Sequence, residues 1–198
     1  MMTDGLFMMS DDWLTKVRDA AFVVLETGVN ACKCRALRLI VKLCQRCFCQ
    51  MRPFTKKIKK YGLNCVDCSE DPATKLCVTE CLKTLATTLV MPKVVEMVEN
   101  ELIGNCDDKK EIVLEMVREM FEKFEDFELR DAVDSLAPLL VEVYNTSFLA
   151  KLRKKAIASL LLMCNRMGST TMEQYITKLP MQKQNELGEL KMIARCSD

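Results

Sequence analysis

Two cysteine pairs are the residues best equipped for chemistry. Cys44-x-x-Cys47 and Cys65-x-x-Cys68, with seventeen residues between them, have the spacing of a four-thiolate zinc site. Cys32-x-Cys34 and Cys49 add thiols nearby. Helical periodicity argues against one shared metal. Cys44 and Cys47 fall near the end of one periodic segment, and Cys65 and Cys68 near the end of the next. If those segments pack antiparallel through Arg52–Pro53, a rise of about 1.5 Å per residue separates the pairs by on the order of 20 Å. Small buried hydrophobes in a Cys-rich sequence explain the cysteines more simply. Zinc on Cys44, Cys47, Cys65 and Cys68 remains the lesser alternative.

Catalysis has less to stand on. The chain contains no His, which removes the usual Ser-His-Asp and Cys-His arrangements and every His-ligated metal. It has no GxGxxG loop and no GxxxxGK loop closed by Ser or Thr. Carboxylates such as Glu115 and Glu119 read as exposed i,i+4 neighbours. The expectation is a non-enzymatic protein with no catalytic residues and no cofactor.

Charge is the remaining functional signal. Lys+Arg number 29 and Asp+Glu 28, so no net charge draws the chain to nucleic acid or membrane. The distribution is uneven. Ten basic residues and no acidic one lie between Thr27 and Val66, whereas acids outnumber bases 14 to 5 from Glu96 to Asp134. The run RPFTKKIKK (Arg52–Lys60) reads as an amphipathic helix with a basic solvent face. With 6% aromatics, a stacking platform for single-stranded nucleic acid is missing, and nucleic acid is not the expected partner.

The elements that position these charges are helices. Apolar residues recur at helical spacing almost throughout: Trp13, Val17, Ala20 and Val24; Leu37, Ile40, Val41 and Cys44; Phe54, Ile58, Tyr61 and Cys65; Ile112, Met116, Met120 and Phe124; Ile157, Leu160, Leu161 and Cys164. No segment alternates with period two. Short polar breaks fall at Thr27–Ala31, Arg52–Pro53, Ser69–Pro72, Met91–Pro92, Gly104–Asp108, Asn145–Ser147, Gly168–Thr170 and Leu179–Pro180. Pro53, Pro72, Pro92 and Pro180 suit first-turn positions. Ser69 or Asp71 supplies a cap near Pro72, and Gly168 suits a helix stop.

About ten helices follow, pairing over 12–50, 53–90, 91–124, 129–167 and 169–195 into units of roughly 35–40 residues, the period of HEAT-type repeats. Each pair leaves an apolar face that only a neighbouring pair can cover. The fold class is therefore all-α, an α-solenoid of about five HEAT-like hairpins, with a flexible N-terminus over 1–10 and a single domain over 11–195. The apolar runs are too short for a membrane span, and MMTDGLFMMSDDW is not a signal peptide. A reducing cytoplasm is the expected setting, with the twelve cysteines mostly free thiols.

In such a stack the turns inside each hairpin line one edge. Lys33 and Arg35 follow the first turn, Lys75 the second, Lys109 and Lys110 the third, and Lys151, Arg153, Lys154 and Lys155 the fourth. A row of cations of this kind suits an acidic protein partner.

The segment from about Asp131 to Leu190 resembles the last repeats of a TOG domain, in particular the C-terminal TOG-type domain of the CLASP family of microtubule-associated proteins. The resemblance lies in the succession LAPLLVEVY, LRKKAIASLLLMCNRMG and MEQYITKLP with a final amphipathic helix. Weaker echoes occur in EDPATK, LKTLATTLVMPKVVEMV and LETGVNACKCRALRLIVKL. The match extends over roughly 11–195 and begins at the family's second repeat, which leaves Trp13 to cover an end of the stack. The resemblance implies a HEAT-repeat paddle whose intra-repeat turns bind tubulin. Lys33, Arg35, Lys75, Lys109, Lys110, Lys151, Arg153 and Lys154 are then the partner-binding residues. It further implies a cytoplasmic, cytoskeleton-associated module whose partner is tubulin, microtubules or a microtubule-associated protein. A generic HEAT scaffold for a non-tubulin protein, bound through a concave or Cys-rich surface, is the alternative.

Overall fold

A computed structural model describes residues 11–67, 71–89 and 91–185, and no strand occurs among them. The predicted periodicity becomes α1 (Asp11–Thr27), α2 (Asn30–Arg46), a single turn α3 (Phe48–Met51), a 3-10 turn (Arg52–Phe54), α4 (Thr55–Asp67) and α5 (Pro72–Thr88). Then follow α6 (Met91–Ile103), α7 (Asp107–Lys123), α8 (Asp126–Thr146), α9 (Ala150–Met167) and α10 (Ser169–Ile176). A further helical run covers 181–185. The expected flexible segment 1–10 lies outside the described residues, as does most of the second helix expected in the last pair.

Local chemistry sets the boundaries. Asp71 accepts from the N–H groups of Ala73 at 3.2 Å and Thr74 at 3.1 Å, and from the Thr74 hydroxyl at 2.8 Å. It thus satisfies orphan donors of the first turn of α5, while Pro72 fills the position that needs no N–H. Gly168 ends α9 at φ 85°, ψ 156°, a conformation open almost only to glycine. One boundary departs from expectation. α2 stops at Arg46 because Cys47 leaves helical geometry at φ −128°, ψ 44°, and the chain reaches α4 through two short turns rather than one break at Arg52–Pro53.

The chain forms two compact units, one up to Cys81 and one from Leu82. In the first, α1 packs on α2 and α4 around the fully buried Phe22, Leu37, Ile40, Met51 and Ile58. Phe22 lies 6.1 Å from Phe54 and 5.9 Å from Tyr61, centroid to centroid. The Lys57 ammonium sits 4.5 Å from the Phe22 ring, and the Arg18 guanidinium 3.8 Å from that of Phe54. The basic face of α4 is solvated as expected, with Ile58 buried and Lys56, Lys57 and Lys60 exposed, but Lys57 also roofs an aromatic cluster.

The core face of α1 differs from the predicted one. Leu14, Ala21, Phe22 and Leu25 are buried, whereas Trp13 is 45% exposed and Ala20 is exposed, with Val17 and Val24 between the extremes. α1 carries two apolar stripes one residue apart, and periodicity does not rank them. Burial of the bulky Phe22 decides. Trp13 therefore covers its surroundings only in part.

In the second unit α6 packs on both α7 and α8, α7 on α9, and α8 on α9, with α10 closing against α8 and α9. Like helix lies on like helix from one hairpin to the next, the stacking that defines a solenoid. The repeat period is visible atom by atom. Lys151–Glu111, Lys155–Glu115 and Arg166–Asp126 are each separated by 40 residues, as are Cys34 and Thr74 in the first unit, and Tyr175–Asp134 by 41. The fold is the all-α, α-solenoid type the hairpin pattern predicts. Its core residues, among them Val98, Val117, Met120, Leu136, Leu140 and Leu160, are wholly buried, so truncating one Leu to Ala costs about 2–5 kcal/mol.

Candidate partner-binding edge

Each hairpin turn presents basic residues on the first turn of its second helix, because a solenoid keeps that position at the edge. In the first unit, Lys33 and Arg35 ride on the start of α2 and Lys75 on the start of α5. The two helix starts are neighbours, since the Cys34 thiol and the Thr74 hydroxyl stand 3.3 Å apart. Arg35 is exposed, and Lys33 and Lys75 are half-buried. In the second unit, Lys109 and Lys110 begin α7, and Lys151, Arg153 and Lys154 begin α9. Ion pairs join these starts, so the predicted residues of each unit do gather on one edge of that unit.

Their roles are not equal. Lys151 lies 2.7 Å from Glu111 and 3.8 Å from Asp108, and Lys155 lies 2.5 Å from Glu115 and 3.3 Å from Glu111. Burial opposes ionisation of Glu111, but hydrogen bonding from Lys151 and the charge of Lys155 outweigh it and lower its pKa. The Lys151 ammonium is held charged chiefly by its hydrogen bond to Glu111. These two lysines therefore staple α9 to α7. Arg153 turns back to donate to the carbonyls of Ser147 at 2.8 Å and Phe148 at 3.1 Å, which fixes the α8–α9 turn. Lys154 is exposed and, among the described residues, forms no ion pair.

Sequence reasoning missed the apolar members of this edge. Phe148, at the α8–α9 turn, is 96% exposed, and Val29, Leu76 and Ile103 are 71%, 67% and 68% exposed. Each stands at or beside a turn or helix start on the basic edge of its own unit. They hold different places relative to their turns: Val29 directly precedes α2, Ile103 ends α6, Phe148 lies between α8 and α9, and Leu76 stands within the second turn of α5. The available signal was an apolar residue inside a polar turn, as in Gly28-Val29-Asn30 and Ser147-Phe148, outside any helical stripe.

The cysteines sit elsewhere. Cys44 and Cys65 are buried, and both stand near Cys81, whose thiol is pushed far up mainly by burial and then by its thiol neighbours. Burial alone raises the Cys44 pKa to about 11. Cys47 is partly exposed, and Cys68 lies outside the described residues. Among the described residues no group of three or more His, Cys, Asp or Glu is disposed to hold a metal ion, and no helix is long and apolar enough to cross a membrane.

No protein-family model matches the chain. Individual relatives do. It is 32% identical over 190 residues, 93% of its length, to CLASP-2 of Caenorhabditis elegans, of which it covers 18%. It is 27% identical over 187 residues to CLASP-1 of Caenorhabditis briggsae, covering 93% of itself and 14% of that protein. With CLASP-3 of Caenorhabditis briggsae it shares 29% over 180 residues, 89% of itself and 18% of that protein. The chain thus spans less than a fifth of the length of the curated relatives it matches. The likeness read from the last third of the sequence extends over nearly all of it: this chain is homologous to a segment of CLASP proteins.

Proposed function

We propose that this chain is a non-enzymatic, microtubule-associated interaction module of the cytoplasm that docks on tubulin or a cytoskeletal partner through its hairpin-turn edge. One observation carries the reading: an almost fully exposed Phe148, on a turn clamped by Arg153, stands close in sequence to the exposed Lys154. A rigid aromatic anchor flanked by a cation is the composition of an interface hot spot. In the second unit Lys109 and Lys110, both half-buried, and the paired Lys151 and Arg153 add to that basic surface. In the first unit Lys33, Arg35 and Lys75 form a basic surface of their own. Val29 and Leu76 supply apolar contact in the first unit and Ile103 in the second. Cation–carboxylate steering makes the association salt-sensitive, and the apolar contacts give it a salt-independent remainder. The homology to CLASP proteins supports the cytoskeletal setting; the edge supports the mode of contact.

The test is co-sedimentation and solution binding with tubulin at low and moderate salt. Phe148→Ser and Lys154→Glu are each expected to weaken binding about tenfold, on the scale of an interface anchor, with helicity unchanged. Equal binding by wild type and both variants would remove this edge from the reading. Absence of binding at low salt would exclude tubulin as the direct partner.

A further inference from the structure

The second unit carries a second surface of opposite character. A groove of about 610 Å³ opens where α6 begins, α7 ends and α8 begins. Its apolar lining includes Leu89, Val95, Phe124 and Phe127, and Phe127 is 75% exposed. Four carboxylates, Glu96, Glu99, Glu128 and Asp131, also line it, and no Lys or Arg does. Glu128 spends one oxygen on the Glu125 N–H at 3.2 Å. Glu99 and Asp131 form no ion pair among the described residues. Along α6 the groove lining runs from Met91 to Glu99, and the basic turn begins beyond Ile103, so the two surfaces share no residue.

We propose that this groove docks a basic amphipathic helix of a protein partner, with apolar side chains of one face on Val95, Phe124 and Phe127 and Lys or Arg beside them paired to Glu99 and Asp131. Charge complementarity selects that occupant. An apolar segment without cations would desolvate four carboxylates for no return, and an acidic one would be repelled. Helix-in-groove recognition reads apolar anchors at i, i+3, i+4 and i+7, a pattern that lets cations flank the buried stripe. The proposal is independent of the turn edge, since no residue is shared.

The test uses the full chain and a fluorescein-labelled synthetic peptide with Leu on one helical face and Lys on the other, followed by anisotropy. A peptide of the same composition, scrambled to lose its apolar face, is the control. Binding is expected to weaken at least about tenfold in the Glu99→Lys/Asp131→Lys double variant and in Phe127→Ser. Glu99→Gln/Asp131→Asn, which keeps size and removes only charge, should weaken it less in the same direction. Lys154→Glu should leave it unchanged. No binding, equal binding of the scrambled peptide, or equal binding by all groove variants each overturns the proposal. Sedimentation of the unliganded chain supplies a further arm: a concentration-dependent dimer abolished by the double reversal would assign the groove to a second copy and overturn it as well.

Discussion

Arg153 and Lys154 are adjacent basic residues at the head of α9, yet the structure gives them separable jobs. Arg153 donates to two backbone carbonyls of the α8–α9 turn; Lys154 points to solvent with no ion pair among the described residues. Replacing Arg153 by Ala removes two hydrogen bonds from a charged donor, worth about 1.5–3 kcal/mol in shielded surroundings. Half-exposure lets water take over much of that, so the net cost is about 1 kcal/mol. In a unit of this size that is about 3–5 °C in midpoint. Lys154→Ala should stay within about 0.5 kcal/mol of wild type, as surface substitutions do. Urea denaturation followed by circular dichroism gives both values. Limited proteolysis should show faster cleavage beside Phe148 in Arg153→Ala alone. Tubulin binding should then fall in both variants, through a loosened anchor in one and a lost charge in the other. If Arg153→Ala matches wild type in stability and cleavage, the clamp is wrong. The turn is then held by its own backbone, and any binding defect in that variant is a direct contact.

Three further outcomes follow from the same geometry. Arg166 donates to the carbonyls of Phe121 at 2.5 Å and Phe124 at 2.8 Å and pairs with Asp126. Arg166→Ala should therefore cost about 2 kcal/mol in thermal or urea unfolding, with less than half recovered by Lys, whose single ammonium cannot span three acceptors. The carboxyls of Asp71 and Glu111 titrate below their ordinary values, Asp71 first through the Thr74 hydroxyl and Glu111 through Lys151 and Lys155 against the opposing effect of burial. Depressed folded-state values mean stability that is present above the unfolded carboxylate range and lost as pH falls through the folded values; the unfolding midpoint should hold near neutrality and drop below about pH 4, a drop smaller in Asp71→Ala. Among the thiols, Cys32 and Cys49 are exposed, whereas Cys44 and Cys81 are buried with pKa values pushed up. A thiol reagent at pH 8 should label the first two in the native protein and reach Cys44 and Cys81 only on unfolding, and rapid native labelling of Cys81 would refute its burial.

How much of this was legible in the sequence depends on what the sequence repeats. Hairpin lengths, Pro72 with its Asp71 cap, and the Gly168 stop are local, so composition and spacing reveal them. The choice between two stripes on α1 is not local. Leu14, Ala21, Phe22 and Leu25 win over Trp13, Val17, Ala20 and Val24 because the rings of Phe54 and Tyr61, more than thirty positions away in the chain, pack on Phe22. The same limit applies to the candidate edge. Its position follows from the hairpin pattern, but counting charges at turns treats Lys151 and Lys154 alike. Only the 40-residue offset to Glu111 reveals that Lys151 is a staple.

That offset has a consequence for how the surface can change. Residues that hold one hairpin to the next, Lys151, Lys155 and Arg166, are tied to partners a repeat away, so altering them alters stacking. Phe148 and Lys154 stand outside that register, and substituting them leaves the stack intact while changing what the edge presents. Glu99 and Asp131, without ion pairs among the described residues, have the same freedom in the acidic groove. In a fold built by repetition the side chains that break the repeat's internal pairing are the ones available for partners. On this argument, swapping Lys154 or Phe148 for any soluble side chain should change binding at unchanged unfolding midpoint. Swapping Lys155, half-buried and bridging Glu111 and Glu115, should move the midpoint first, and the reverse ranking in a paired stability and binding screen of the two positions would break the argument.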